Sequence, residues 1–256
     1  MHKPVVVIGI GEIGSVFARG FLRLGYPIVP VTRDMNLGIV AKEVQEPEAV
    51  IVAVAEKDLH ATLADLPDAW CDRLILLQNE LLPCDWQQYG LVNPTVISVW
   101  FEKKKGMDSK MVIASPAYGE FASLLKEALG SLDIPVRELA DDSELLFELV
   151  LKNLYILTTN IAGLESGGNV RQLWLEHNDL ACAVAGDVLD IQEHLSGEKL
   201  ERNALIEGML GAFDGDPEHG CMGRSAPARL ERALAIADEA GLEVPTLRRI
   251  SKTKGN

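Results

Sequence analysis

Apolar and polar positions follow two regimes along the chain. Up to about residue 141, short apolar runs alternate with helical periodicity, and beyond it the spacing is almost wholly helical. Residues 5–8 (Val-Val-Val-Ile) are apolar and β-branched at consecutive positions. That pattern suits a strand buried on both faces of a parallel sheet. Val16, Phe17, Phe21, Leu22 and Leu24 then recur at helical spacing, and Gly25 stands where a helix stop belongs. Further strands are expected over 28–31, 49–54, 74–77, 96–100, 111–114 and 134–139, with helices over 59–66 and 121–129. Pro30 marks 28–31 as an edge or irregular strand, because proline brings no N–H to a ladder. The β-α-β alternation predicts an α/β fold with an N-terminal Rossmann-type, doubly wound sheet over 1–141. Only about fifteen residues separate the second strand from the third, short for a crossover. A shortened sheet, lacking one helix or strand, is therefore expected there.

From Ser143 onward, helices are expected over 145–164, 173–195, 200–213 and 227–240. Ser143 is the expected cap of the first and Gly241 the stop of the last. The stretch 214–220 is a loop by composition. Residues 142–256 are thus expected to form an all-helical unit for substrate binding or dimerisation. Leu173 and Trp174 are its candidate apolar contacts for a homodimer.

Composition narrows the function classes. With 256 residues, 48% of them hydrophobic, the chain can bury a sizeable core. Lys+Arg is 24 and Asp+Glu 38, so the net charge is 24 − 38 = −14. Such a field disfavours nucleic acid and anionic membranes as partners. Four cysteines without a C-x-x-C pair, and five histidines without H-E-x-x-H, give no spacing for a metal site. The apolar run at 5–8 is too short for a signal peptide or a membrane span. A reducing cytoplasm with free thiols is the expected setting.

The strongest chemical signal is Gly9-Ile10-Gly11-Glu12-Ile13-Gly14, a G-x-G-x-x-G directly after the first strand and directly before an amphipathic helix. That context is what the motif requires for dinucleotide binding. Gly9 permits the tight turn, Gly11 lets the backbone approach a pyrophosphate, and Gly14 lets the helix pack on the strand. The helix N-terminus then offers N–H groups to phosphate. Glu12 is a discord, since a carboxylate repels the same phosphates; it is expected to turn sideways into solvent. After the second strand come Thr32, Arg33 and Asp34. A guanidinium suits a 2′-phosphate by charge and geometry, so Thr32 and Arg33 favour NADP(H). Asp34 supports NAD instead. Asn79 follows the fourth strand, where ligands of such sheets lie. On the long helix, Lys152 and Asn160 are eight residues apart and share a face, with Ile156 between them. A lysine on so apolar a helix is a candidate proton donor.

Together these residues resemble the ketopantoate reductase (2-dehydropantoate 2-reductase) family, within the wider 6-phosphogluconate-dehydrogenase-like group. The resemblance spans the whole chain in layout. It rests on the Gly9–Gly14 turn, Arg33, the Leu-Leu-Gln-Asn79 run, the Lys152-to-Asn160 helix and the closing Gly241-Leu-Glu-Val-Pro245. It implies NADPH as cofactor and a small 2-oxo acid as substrate. It also implies Lys152 as general acid, with Asn160 and Asn79 beside the substrate and nicotinamide. Departures are equally visible. The family's middle helix asparagine is Ile156 here. Its lysine after the third strand falls at Ala55, with Lys57 two positions away. Its C-terminal serine and glutamate fall in Gly223-Arg224-Ser225-Ala226-Pro227, where only a shift of register brings in Glu231.

Three functions stay open at this point. One is an NADP-dependent reductase with an altered substrate pocket. Another is an NADP(H)-binding protein without reductase chemistry, such as a redox sensor. The third is a partner-binding protein whose helical half dimerises.

Overall fold

The computed structural model describes residues 2–254. The chain divides into two compact units, Met1–Glu148 and Leu149–Asn256.

The first unit is built on a seven-stranded sheet. In chain order its elements are β1 (Val5–Ile8), α1 (Glu12–Arg23), β2 (Ile28–Val31), α2 (Leu37–Glu43), β3 (Ala49–Val52), α3 (Leu59–Ala64), β4 (Leu74–Leu76), α4 (Pro83–Gln87) and β5 (Thr95–Ile97). There follow β6 (Phe101–Glu102), β7 (Lys110–Met111), β8 (Ser115–Tyr118), α5 (Ala122–Gly130) and β9 (Val136–Glu138). The spatial order is β2-β1-β3-β4-β5-β8-β9, parallel from β2 through β5, with β8 antiparallel to β5 and parallel to β9. β6 and β7 pair separately as a small hairpin. Pro30 sits on the edge strand β2, where a missing N–H costs least.

Side chains of central strands alternate between faces, and both faces are dry. Val5, Val7, Ile51, Ile75 and Ile97 pack with Phe17 and Phe21 of α1 and Leu125 and Leu129 of α5. Their alternates Val6, Val50, Val52, Leu74 and Leu76 are buried as completely. This explains why the strands read as unbroken apolar runs. α1 ends as the sequence predicts: Gly25 has φ +85, and the N–H groups of Gly25 and Tyr26 return to the carbonyls of Leu22 and Phe21.

Several sequence expectations change. No crossover element is missing between β2 and β3, because the two-turn helix α2 fits the short connection, capped by Asn36 Oδ1 on the Ile39 N–H. The Trp70 indole N–H donates to the Val44 carbonyl at 2.9 Å, anchoring the end of α2. The strand expected over 111–114 is displaced: residues 110–111 belong to the hairpin and the sheet strand is Ser115–Tyr118.

The second unit contains most of α6 (Asp142–Ser166), then α7 (Val170–Glu176), α8 (Asn178–Ser196), α9 (Arg202–Gly215), α10 (Ala226–Ala240) and α11 (Pro245–Lys254). Ser143 is not the cap of α6. Asp141 Oδ1 accepts from the N–H groups of Ser143 and Glu144, so the cap lies two residues earlier. By length and hydropathy α6 could cross a membrane, yet 78% of its most apolar window is buried within the protein, as in a core helix. The region expected as one helix over 173–195 is two, α7 and α8. Leu173 is fully buried in the unit, which removes it from any dimer surface; on α7 Trp174 is half-buried and Leu175 is 72% exposed.

The terminal helix α11 was not foreseen. Its first N–H groups are capped from another helix: Asp187 Oδ2 of α8 accepts from Thr246 N at 2.8 Å and Leu247 N at 3.0 Å. Burial pushes the Asp187 carboxyl above the usual range, with these two bonds acting against the shift. An amide oxygen can accept the same bonds without that burial penalty. Asp187→Ala is therefore expected to destabilise by about 2 kcal/mol, and Asp187→Asn by much less, as read by urea denaturation. Equal losses for the two variants would show that the charge, not the acceptor, matters.

Candidate functional site

In the first unit the glycine turn forms at the carboxyl end of β1. The Gly9 N–H donates to the Val31 carbonyl at 2.9 Å, and the Ala53 N–H to the Ile8 carbonyl at 2.7 Å, which draws the ends of β1, β2 and β3 together. Gly9 has φ +90, and a Cβ there would lie 2.6 Å from the Ala53 carbonyl oxygen. A Cβ on Gly14 would lie 2.0 Å from the Gly9 oxygen. At Gly11 a Cβ would meet nothing within 4 Å. So two of the glycines are required by packing, and the third faces open space. Gly11 is also the N-cap of α1 and supplies no side chain to the helix N–H groups. They stay available to an anion, as the motif demands.

That open space is a cavity of about 670 Å³ at the carboxyl ends of β1, β2 and β3. Gly9, Ile10, Gly11, Thr32 and Arg33 line it; Glu12, Ile13, Gly14 and Asn79 do not. Ile13 packs instead against the sheet core. Glu12 does not simply turn into solvent. Its carboxylate pairs with Lys103 Nζ at 3.5 Å, and Lys103, largely covered, also donates to the Lys104 carbonyl at 3.0 Å. A lysine from the β6–β7 hairpin thus offsets the negative charge that looked discordant beside a phosphate site. Arg33, 82% exposed, pairs with Asp58 Oδ2 at 3.3 Å. Asp58 and Asp65 line the same cavity and were not foreseen. Ala55, where the resemblance expects a lysine, lines the cavity too, while Lys57 is exposed and not part of the lining.

At the end of β4 the two amides divide their tasks. Gln78 is buried; its Nε2 donates to the Val52 carbonyl at 2.6 Å and its Oε1 accepts from Leu77 N. It fastens β4 to β3 and is a structural residue. Asn79 Nδ2 donates to Glu56 Oε1 at 3.1 Å. The next residue, Glu80, has φ 62, a left-handed conformation costly for a side chain with a Cβ.

In the second unit Lys152 is half-buried on α6, with its ammonium 5.8 Å from the centroid of the Tyr155 ring. Tyr155 packs in turn against Phe213 and His219, with centroids 5.6 and 6.0 Å away. Asn160 is buried and engaged: its Nδ2 donates to the Ile156 carbonyl, and its Oδ1 accepts from Gly223 N at 3.3 Å and Arg229 Nη1 at 3.1 Å. Arg229, a buried guanidinium on α10, was not foreseen. Glu231, two residues on, is exposed. Lys152 and Asn160 share α6, but the amide of Asn160 holds the loop before α10.

A parallel dinucleotide-type sheet with a glycine turn, followed by a helical unit, defines a two-unit class of nucleotide-fold proteins. Within it, solved structures place the fold more narrowly: it is the fold of the ketopantoate reductases. No protein-family model matches the chain, and no curated protein matches it in sequence. A ketopantoate reductase from Ralstonia eutropha superposes with TM-score 0.69 over 97% of this chain and 96% of its own, at 14% identity. The dimeric ketopantoate reductase from Staphylococcus aureus gives 0.67 over 98% and 96%, at 16% identity. A D-mandelate dehydrogenase solved with NADH gives 0.67 over 97% and 96%, at 11% identity. At such identities the likeness establishes the fold, and function has to be argued from the site.

Proposed function

We propose that the protein is an NADP(H)-dependent reductase of a small 2-oxo acid, with a substrate pocket altered from that of the ketopantoate reductases. The observation that carries this is the cavity at the glycine turn, with Gly11 open toward it and Arg33 on its wall. The fit is chemical as well as steric. An uncapped helix start receives a pyrophosphate, and a guanidinium receives a 2′-phosphate.

When bound, the cofactor supplies the hydride. The chain's own residues do the rest. The Gly9–Gly14 backbone holds the pyrophosphate, with the Glu12 charge offset by Lys103. Arg33 holds the 2′-phosphate. Lys152 donates a proton to the carbonyl oxygen of the 2-oxo acid as that oxygen becomes a hydroxyl. Asn79, paired with Glu56, would be the amide near the nicotinamide, as the resemblance implies. The fold neighbours named for 2-oxo acid reduction and for NADH binding support the reaction class. A homodimer is part of the same proposal, suggested by the dimeric Staphylococcus aureus neighbour and the exposed Leu175.

A second function is favoured by one observation: Ile156 replaces an amide, and Asn160 is bonded to Arg229 and Gly223. A dinucleotide-binding protein without reductase chemistry would have that character. Oxidation of NADPH, followed by its absorbance across a panel of 2-oxo acids, separates the two. Turnover of at least one acid is expected, and binding of NADPH with no turnover of any would leave the second function standing.

A further inference from the structure

The cavity at the glycine turn has an unusual charge balance for a site that would grip a 2′-phosphate. Arg33 is not held ready for a ligand alone, because Asp58 already takes its guanidinium at 3.3 Å. Asp65 is a second acidic residue that lines the cavity. The Asp58 carboxylate has no other structural task that explains it. The residue stands at the N-cap of α3, yet its side chain makes no capping bond; its backbone is engaged instead, the N–H donating to the Ala55 carbonyl at 2.9 Å and the carbonyl accepting from the Thr62 hydroxyl at 2.8 Å. An exposed ion pair of this kind is weak, so a ligand can displace it at little cost. What remains after displacement is a carboxylate beside a doubly charged phosphate, which is repulsive.

We propose that Asp58 is a specificity-determining residue: by engaging Arg33 and facing the ribose end of the cavity, it weakens the hold on a 2′-phosphate and narrows the preference for NADPH over NADH. The proposal rests on the cofactor assignment made above. A cofactor with a free 2′-hydroxyl meets no such repulsion, since a carboxylate can accept from a hydroxyl.

The test is a double-mutant cycle in binding, with NADPH and NADH titrated at low ionic strength into wild type, Asp58→Asn, Arg33→Ala and the double variant. Asparagine keeps the size and an acceptor oxygen but removes the charge. NADPH affinity is expected to rise about tenfold in Asp58→Asn, equivalent to about 1.4 kcal/mol, and NADH affinity to stay within about twofold. In the Arg33→Ala background the part of the gain that comes from freeing Arg33 should vanish, while the part that comes from lifting the direct repulsion should remain. The gain should also shrink at high salt. An unchanged NADPH-to-NADH ratio in Asp58→Asn would overturn the role of Asp58 while leaving the cofactor assignment intact. Failure of wild type to bind either dinucleotide would overturn both.

Discussion

Gly14→Ala is expected to cost at least about 3 kcal/mol of stability, as severe overpacking against fixed backbone does. The new methyl would sit 2.0 Å from the Gly9 carbonyl oxygen, and a backbone atom cannot swing aside as a side-chain end can. The start of α1 would have to lift from the sheet, taking with it the burial of Phe17 and Phe21. Gly11→Ala is the matched control. Its Cβ meets nothing within 4 Å and its φ of −75 suits alanine, so stability should stay within about 0.5 kcal/mol of wild type. The same methyl projects into the space proposed for the pyrophosphate, so dinucleotide binding should fall by roughly tenfold or more. Urea denaturation reads the first effect and titration with NADPH the second. A Gly14→Ala protein as stable as wild type would show that α1 does not need its close approach to β1.

On the proposed role of Lys152 as general acid, Lys152→Ala is the second large expected effect, and it is expected in rate rather than stability. General acid catalysis contributes about 10²–10⁴-fold, so kcat should drop by that factor, roughly 2.7–5.5 kcal/mol of transition-state stabilisation. NADPH affinity should change little, because Lys152 is not among the residues that line the cavity at the glycine turn. Lys152→Arg should not restore the rate. A guanidinium stays protonated and is a poor proton donor at neutral pH. The Lys152 ammonium also lies 5.8 Å from the centroid of the Tyr155 ring, a contact that a structural role would use. The kcat-against-affinity split decides: an unchanged kcat with lowered stability assigns Lys152 to packing.

How far the sequence carried the structure can be judged from single elements. The sheet was legible wherever strands are buried on both faces, because β1, β3 and β4 then leave unbroken apolar runs. The strand β8 was not. Ser-Pro-Ala-Tyr has no β-branched run, and its place depends on tertiary bonds such as Ser115 Oγ accepting from Trp100 N at 2.9 Å. Helix α11 was missed because it buries only a narrow stripe, including Leu247 and Ile250, and borrows its cap from Asp187 sixty residues earlier. The glycine turn was legible because its chemistry is local, within six residues. Asp58 and Arg229 were not, since each engages a residue distant in sequence, Arg33 and Asn160 respectively. Asn160 shows the limit most plainly. Spacing placed it on the face of Lys152, but spacing says nothing about an arginine on another helix that uses its oxygen.

On the proposed function, the Gly9–Gly14 turn binds a nicotinamide dinucleotide and Arg33 reads the 2′-phosphate. Titration of the purified protein with NADPH and NADH, followed by fluorescence, with Arg33→Ala alongside, tests it most directly. Saturable NADPH binding in the micromolar range, weakened about tenfold in Arg33→Ala while NADH binding is unchanged, is the predicted result. Absence of saturable binding of either dinucleotide would contradict it and leave the glycine turn as a packing device between β1 and α1.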